Sequence, residues 1–480
     1  MAERRLTRAL RGRKGWLPLL LCAALLFSTA CATPPPAAVA SPPASTVESK
    51  VVWAVTPAVA GATPDFATRT ATATPQPSPT RQATARATSP AAVTPGPAFG
   101  AEILKQAAAV RELQPRTSVP TSLLSRPQLR AYLSEELAEE EMQRDLARDQ
   151  GFFIALGLLP EKAQLAQLWL DLLDEQIVGM YSTESHDMKL IGVGAQLSLT
   201  DEMTLAHEYV HALQDQTFAT SERIKQIQDD GDRATAYQAL VEGDATLASA
   251  GYMVKYKTPQ QLAQLRQQAG TYSQDKLLAS PAVLQLSLTF PYEQGLLFVT
   301  NLFRGGGWAA VNRAYANPPQ SSEQILHPEK YLAGEAPQKV RLPDLAKTLG
   351  GSWALLGSDT FGELGWQAYL LDRGSEKAAK VAAAGWGGDR YAVLGNGDKY
   401  AVAALTVWDS ENEAREFALA VRDRYNFGVG AKVVDQDSRH FNWTETTGGG
   451  LVAWQGARVL LAVGPDLATA QKLAAAFLGL

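Results

Sequence analysis

Beyond the first hundred residues, apolar side chains recur at helical spacing. Ile103, Ala107 and Val110 stand three or four residues apart, as they would on one face of a helix. The same spacing predicts a strongly acidic helix over residues 129–150 and another helix over 162–175. The globular part of the chain is therefore expected to begin with helices.

The periodicity then changes to that of strands. Two short apolar segments, residues 176–181 and 188–193, are separated by the polar residues 182–187, which predicts an antiparallel hairpin. Thr200 is expected to cap the next helix, which has acidic residues in its first turn and extends to about Asp215.

Three more helices are predicted before the last third of the chain. They cover residues 233–256, 259–270 and 291–303, and the consecutive glycines at 305–307 should end the last of them. Residues 218–232 are polar and long enough to reverse the chain direction. We expect them to form a loop that lets the helices on either side pack antiparallel.

The last third of the chain mixes strand and helix patterns. A strand is predicted over 402–408, followed by a helix over 411–424 that Ser410 caps. A hairpin is predicted over 451–463, and a final helix over 466–477. Such a mixture is typical of a small α+β domain.

Composition divides the chain into four parts. Residues 1–31 have a basic front and an apolar run over 17–27 that is too short to span a bilayer, which indicates a signal peptide. Residues 32–98 are mostly Ala, Pro, Thr and Ser and are expected to form a disordered, extended linker. A mostly helical domain with a small strand pair over 99–348 and a small α+β domain over 349–480 complete the prediction, so the fold class is α+β.

The end of the signal peptide resembles a bacterial lipoprotein signal. In such signals the thiol, here of Cys31, is acylated and becomes the new N-terminus, although Ser28 stands where Leu is usual. This interpretation predicts an extracytoplasmic protein that a lipid anchors to the cell membrane. Ordinary cleavage after Ala32 is the alternative and predicts a secreted protein. Cys22 lies inside the signal, so no internal disulfide is expected in the mature chain.

One motif is typical of a metal site, and it lies in the predicted helix that follows the hairpin. Residues 207–211 read His-Glu-Tyr-Val-His, and composition alone predicts about 0.005 such motifs in this chain. Residues four apart share a helix face, so His207 and His211 can bind one zinc ion. Glu208 can then take a proton from a water whose pKa the zinc lowers to about 7.

A catalytic zinc site needs a third protein ligand. Asp215 lies on the same helix face as the two histidines, but it is too far along the axis unless the helix bends. Glu242 belongs to the next long helix, where Gly243 and Ala245 permit a close approach. We therefore predict Glu242 as the third ligand, about 2.0–2.2 Å from the metal.

The segments around these residues resemble the gluzincins, the thermolysin-like zinc metallopeptidases. They are more closely similar to uncharacterised exported bacterial proteins that carry the same motif. The similar segments are residues 205–216, 240–245, 291–295 and 323–331 and, more loosely, 385–391. The resemblance implies a zinc-dependent peptidase in which His207, His211 and Glu242 bind the metal and Glu208 is the catalytic base.

Two further features of the site are the acid that follows the ligand Glu and the donor to the oxyanion. Gluzincins commonly carry an Asp four residues after the ligand Glu, but here that position is Thr246 and the acid is Asp244. Peptide hydrolysis also needs a donor for the developing oxyanion. His327 is the leading candidate for this second catalytic residue, with Tyr331 and Tyr292 behind it.

Three functions are compatible with these patterns. The favoured one is a zinc endopeptidase that cleaves peptides or proteins and pairs strand 188–193 with the substrate backbone. The second is a catalytically silent zincin-like lipoprotein that acts as a scaffold or binding protein in the cell envelope. The third is a binding lipoprotein whose function lies in its C-terminal domain. The net charge of −5 and the lack of a basic stretch after residue 14 give no reason to expect nucleic acid as a partner.

Overall fold

The computed structural model describes residues 21–23, 99–194, 196–269, 273–427 and 430–477. It is 58% helix and 18% strand, with a helical N-terminal region and a C-terminal antiparallel sheet, so the predicted α+β class is confirmed. Apart from 21–23, the predicted signal peptide and linker, with Cys31, lie outside the described residues. Among the described helices, none combines the length and apolar character that crossing a bilayer requires.

The helical region contains most of the helices and a small sheet. Its first helices are α1 (Ala101–Arg111), α2 (Arg126–Leu137), α3 (Glu140–Ala155), α4 (Leu165–Gln176), α5 (Leu199–Phe218), α6 (Thr220–Ile227) and α7 (Gly231–Tyr256). The others are α8 (Pro259–Ala269), α9 (Asp275–Ala279), α10 (Ala282–Ala316), α11 (Ser322–Leu326), α12 (Pro328–Ala333) and α13 (Leu345–Leu349). The strands are β1 (Leu21–Ala23), β2 (Thr121–Leu124), β3 (Gly179–Ser182) and β4 (Asp187–Ile191).

The C-terminal region alternates strands and helices. Its strands are β5 (Ala354–Asp359), β6 (Trp386–Asn396), β7 (Lys399–Trp408), β8 (Lys432–Asp437), β9 (His440–Glu445), β10 (Gly448–Gln455) and β11 (Arg458–Gly464). Its helices are α14 (Gly362–Leu371), α15 (Glu376–Ala383), α16 (Glu411–Asn426) and α17 (Leu467–Ala475). The strand, helix and hairpin predicted for this region are all present.

The acidic stretch predicted as one helix forms two, α2 and α3. Leu133 and Leu137 are buried four residues apart, and so are Met142 and Leu146. Met142 comes five positions after Leu137, which is not a helical repeat, so one straight helix could not point all four side chains at the same core. The chain therefore ends α2 at Leu137 and starts a new helix.

The helix that carries the motif begins earlier and ends later than predicted. Ser198, not Thr200, is its N-cap: the Ser198 hydroxyl accepts a hydrogen bond from the Asp201 amide, and the Asp201 carboxylate accepts one from the Ser198 amide. Beyond Phe218 the expected loop contains helix α6, because the Asp215 carboxylate accepts hydrogen bonds from the amide and hydroxyl of Ser221 in its first turn.

Helix α10 is much longer than predicted. It starts at Ala282, so Pro291 lies inside the helix rather than at its beginning. The helix is interrupted at the predicted glycines: Gly306 and Gly307 have non-helical dihedral angles, and φ of Gly307 is 60°. A second helical segment follows this kink, so the glycines change the direction of the chain without ending the helical region.

Helices α7 and α10 lie side by side with their backbones in contact. A Cβ atom added to Gly243 would lie 2.1 Å from the carbonyl oxygen of Gly295. A Cβ atom added to Gly295 would lie 2.2 Å from the carbonyl oxygen of Ala239. Any larger residue would force the two helices apart, so this glycine pair sets the position of Glu242, the neighbour of Gly243.

The small sheet has the strand order β1-β3-β4-β2. Strands β3 and β4 form the predicted antiparallel hairpin. Strand β2 pairs with β4 in parallel, and its four residues are too few for a recognisable pattern in the sequence. Strand β4 therefore has neighbours on both sides, and the prediction that this strand pairs with a substrate backbone is wrong.

The large sheet has the order β5-β6-β7-β11-β10-β9-β8, and every neighbouring pair is antiparallel. Helix α3 of the helical region packs against this sheet: the Phe152 ring stacks on that of Tyr391 with centroids 3.8 Å apart. Buried residues of α2 to α4 and of the large sheet belong to one continuous hydrophobic cluster. The two regions therefore share a core.

Candidate metal centre

Three buried side chains meet between helices α5 and α7. His207 Nε2 lies 3.0 Å from His211 Nε2 and 3.1 Å from Glu242 Oε2. His211 Nε2 lies 3.3 Å from the same carboxylate oxygen. The three residues are the predicted metal ligands, and each is at most 5% exposed.

Helix packing explains why these residues meet. His207 and His211 share one face of α5 because they stand one helical turn apart. Helix α7 runs antiparallel to α5, as predicted: Tyr252 donates to Glu202 near the start of α5, and the Gln214 amide donates to the Val241 carbonyl further along.

The donor set fits a zinc ion. Two donors at about 2.0–2.1 Å from one tetrahedral ion stand about 3.3 Å apart, and the observed separations are 3.0–3.3 Å. Glu242 Oε1 is buried without a hydrogen-bond partner, so the carboxylate has unused coordinating capacity. Among the described residues, one other group of acids and histidines converges as closely: Glu323, Glu335 and Asp409.

That second group already holds a cation. The Lys330 ammonium lies 2.7 Å from Glu323, 2.9 Å from Glu335 and 2.5 Å from Asp409. Because Asp409 follows strand β7, this lysine ties α12 to the C-terminal region. We therefore interpret the group as a structural ion-pair cluster.

The surroundings shift the pKa values of two cluster residues, His207 and Glu242. Burial lowers the pKa of His207, which favours the neutral imidazole that can bind an ion. Burial alone would raise the pKa of Glu242, but the adjacent His211 and His207 outweigh it and hold that pKa below its usual value. Two neutral imidazoles and one carboxylate are the expected protonation states of a zinc-binding set.

Glu208 lies beside this cluster and faces the small sheet. It is completely buried. A Cβ atom added to Gly179, the first residue of β3, would lie 3.3 Å from Glu208 Oε1 and 2.4 Å from a methyl carbon of Thr204. The glycine therefore lets the start of strand β3 approach the carboxylate closely.

Gln214 fixes the orientation of His211. Its amide nitrogen faces the Val241 carbonyl at 3.0 Å, and a carbonyl can only accept a hydrogen bond. Gln214 Oε1 must then face His211 Nδ1, 2.8 Å away, so Nδ1 carries the proton and donates. In a neutral imidazole, His211 Nε2 is then an acceptor 3.3 Å from Glu242 Oε2, and two acceptors this close repel unless a proton or a cation lies between them.

Asp244 stands behind Gln214 in a buried network. Its carboxylate accepts hydrogen bonds from the Gln214 amide at 2.9 Å, from Tyr315 at 2.7 Å and from Arg111 at 2.5 Å. Arg111 and Asp244 are both completely buried. Gluzincins commonly carry an Asp four residues after the ligand Glu, whereas here Asp244 comes two residues after Glu242. Asp244 is connected to His211 through Gln214.

Sequence reasoning did not find Gln214, Arg111 or Tyr315. A glutamine three residues after His211 was the available signal, since that spacing also lies on the face of the motif helix. Arg111 and Tyr315 carry no such signal, because they are 133 and 71 residues from Asp244.

We expect Gln214→Met to weaken zinc binding by about 10- to 100-fold, the usual effect of losing a group that orients a metal-binding histidine. Methionine has a similar volume, but its thioether is a poor acceptor for the hydrogen bond that His211 Nδ1 donates. Asp244 still accepts hydrogen bonds from Arg111 and Tyr315 in this variant. Zinc affinity would be measured by competition with a chromogenic chelator. Gln216→Met, on the same helix but partly exposed, is the matched control. Equal affinities of both variants would remove Gln214 from this role.

The three candidate oxyanion donors lie in different surroundings. The Tyr292 ring stacks near His207 with centroids 6.3 Å apart. The Tyr331 hydroxyl donates to the Asn317 carbonyl at 2.8 Å, so its proton is already engaged. His327 Nε2 lies 3.0 Å from the buried carboxylate of Glu363. Tyr292 is therefore the candidate whose ring packs near a cluster residue.

The surroundings of His327 favour its protonated form. The hydrogen bond from its ring to Glu363 raises its pKa, against the effect of burial, and the negative charges of Glu363 and Glu329 add to the rise. A protonated imidazole is a strong hydrogen-bond donor. The assignment of His327 as a catalytic residue stays a prediction.

Asp215, the alternative third ligand, has other partners. It accepts hydrogen bonds from Tyr181 at 2.9 Å and from both the amide and the hydroxyl of Ser221. His186 Nδ1 also lies 2.8 Å from it. Asp215 thus anchors the end of the motif helix to the small sheet and to α6.

Comparisons with known proteins concern the C-terminal region. Residues 354–474 match a family model described as a domain of unknown function (DUF8575). The match begins with β5 and ends in α17, so it covers the large sheet and leaves out the metal cluster. No curated protein and no solved structure gave a significant match.

Proposed function

We propose that this protein is a zinc-dependent peptidase of the gluzincin type. The observation that carries the proposal is the convergence of the side chains of His207, His211 and Glu242. Glu208 follows His207 on the same helix. Two imidazoles and one carboxylate leave a zinc position open for substrate or water, as a catalytic site requires. The resemblance of the surrounding segments to gluzincins supports the same assignment.

The chain's own residues would divide the reaction between them. Zinc, when bound, supplies a Lewis acid for the scissile carbonyl and lowers the pKa of water. Glu208 takes a proton from the attacking water and passes it to the leaving amine nitrogen. The peptide C–N bond breaks, and the products are a carboxylate and an amine. Burial of Glu208 keeps competing water away from this proton transfer.

Tyr292 is the favoured donor to the developing oxyanion. Its phenol can donate one hydrogen bond, and its ring already packs near His207. His327 is the second candidate, since Glu363 favours its charged, donating form. Both assignments are proposals about the same step.

Strand β3 is the proposed platform for the substrate backbone. It begins at Gly179, against Glu208, and its edge away from β4 pairs with Leu21–Ala23 in antiparallel fashion. That pairing supports the proposal, because it places an extended segment on this edge. If the signal peptide is removed on export, the same backbone groups become available to an extended peptide.

The proposed setting is outside the cytoplasm. The leader sequence supports export, and Cys31 supports attachment to the membrane through a lipid, with secretion as the alternative. Peptides or proteins on that side of the membrane would be the substrates.

The proposal is tested by metal-dependent cleavage. The purified protein should contain one zinc and hydrolyse an unstructured protein such as casein. A chelator should stop the cleavage, and added zinc should restore it. Zinc without any cleavage would favour the silent scaffold, and a protein that binds no zinc would exclude the proposal.

A further inference from the structure

A cavity of about 70 Å³ lies where the helical region meets the large sheet. Its walls are largely apolar, and Leu146, Phe153, Trp169 and Phe361 contribute to them. Three aspartates, Asp145, Asp149 and Asp232, are also among the lining residues. An apolar cavity with acidic groups is an unusual combination, because buried carboxylates need compensating charge.

The cavity adjoins the metal cluster along two helices. Gln238 lines it and precedes Glu242 by one turn of α7, about 6 Å along the axis. Ser287 lines it from α10, the helix that carries Tyr292. Tyr292 also belongs to the same hydrophobic cluster as the wall residue Trp169. Asp232 lies ten residues before Glu242, about 15 Å along the axis of α7, so a peptide that extends from the cluster along this helix would place a side chain in the cavity.

Negative charge exceeds positive charge around the cavity. Arg148 lies 3.0 Å from Asp145 and 2.8 Å from Asp149, and it also contacts Asp359 behind the wall at 3.4 Å. Asp232 is 4% exposed, and its carboxylate accepts a hydrogen bond from the Ser322 amide at 3.0 Å. Within the described parts of the chain, no Lys or Arg forms an ion pair with Asp232.

The directions of the pKa shifts agree with a lack of positive charge near these acids. Burial raises the pKa of Asp232 well above its usual value, and the nearby Asp230 and Asp389 add to the rise. Burial also raises the pKa of Asp359 to about 7, despite Arg148. A cation that entered the cavity would favour the ionised form of these acids.

We propose that the cavity is a specificity pocket for a lysine or arginine side chain of the substrate. The inference rests on the proposed peptidase function. The aliphatic stem would lie against the apolar walls, and the charged end would meet the carboxylate of Asp232. An inorganic cation fits less well, because neither group of metal-ligand type among the described residues includes an acid of this cavity.

The first test measures binding without hydrolysis. Glu208→Gln protein, loaded with zinc, would be titrated calorimetrically with two peptides that differ only in one residue, lysine or its uncharged counterpart norleucine. We expect the lysine peptide to bind at least about tenfold more tightly, as a close charge pair allows. Equal binding of the two peptides would overturn the pocket and leave the proposed hydrolysis untouched.

The second test assigns the preference to Asp232. Asp232→Asn, added to the same protein, should abolish the preference, because the amide has no charge. Its carbonyl oxygen can still accept the Ser322 amide hydrogen bond, which favours folding. Asp398→Asn, in the exposed turn between β6 and β7, makes the same chemical change as a control and should keep the preference. A preference that persists without the Asp232 charge would also overturn the proposal.

A third variant covers the case in which Asp232→Asn does not fold. Thr235→Lys places a tethered ammonium one turn from Asp232 on the same helix, in a residue that lines the cavity. It should reduce the lysine peptide's advantage to less than about twofold. An undiminished advantage in this variant would show that the lysine side chain binds elsewhere. Loss of all cleavage in the parent protein with an intact lysine preference would instead count against the proposed function alone.

Discussion

Glu208→Gln is expected to lower kcat for peptide hydrolysis by at least about 100-fold while the protein keeps one zinc. Glutamine has nearly the same shape, but its amide cannot take the proton of an attacking water. The metal should stay because the three converging ligand atoms belong to His207, His211 and Glu242. Hydrolysis of a fluorogenic peptide and zinc content, measured on the same sample, would check both parts.

The control for this experiment is Glu222→Gln. Glu222 lies on α6 with its side chain 69% exposed, so the substitution makes the same chemical change at the surface. It should leave kcat and zinc content unchanged. Full hydrolysis by the Glu208 variant would mean that another residue is the base.

The second large effect is expected from the ligands themselves. His211→Ala should lower bound zinc well below one equivalent. We expect an affinity loss of more than about 100-fold, which is larger than the loss expected for Gln214, because Gln214 only orients a metal ligand. Glu242→Gln should act in the same direction, because it removes the negative charge that Glu242 Oε2 brings within 3.1 Å of His207. Each variant should also lose the rise in melting temperature that zinc gives the parent protein.

Metal analysis after dialysis and a thermal melt with and without zinc would measure these effects. His186→Ala is the matched control, since the His186 side chain is 61% exposed and contacts Asp215 rather than the cluster. Unchanged zinc in the His211 variant would exclude the motif. Unchanged zinc in the Glu242 variant alone would mean that the third ligand is another residue.

Features set by short-range patterns were predictable from the sequence. The spacing of His207 and His211 depends only on the pitch of one helix, and the hairpin of β3 and β4 depends on two apolar runs and a polar turn. Ser410 likewise predicted the start of α16. In each case the interacting residues are close neighbours along the chain, so the pattern itself contains the contact.

Glu242 was predictable for a related reason. Small residues on the following long helix favoured its close approach to the motif helix, but Gly243 lies against Gly295 of α10 instead. The helix that carries Glu242 was therefore predicted correctly, whereas the role of Gly243 was not, because its partner helix α10 is distant along the chain.

Only the tertiary structure decided the surroundings of the cluster. Arg111 reaches Asp244 across 133 residues, and strand β2 inserts beside β4 from more than sixty residues away. The choice between Tyr292 and His327 likewise depends on how α10 and α14 pack, which no local pattern reports. Such contacts arise because the buried groups of distant segments must satisfy one another, and that requirement acts only once the core has formed.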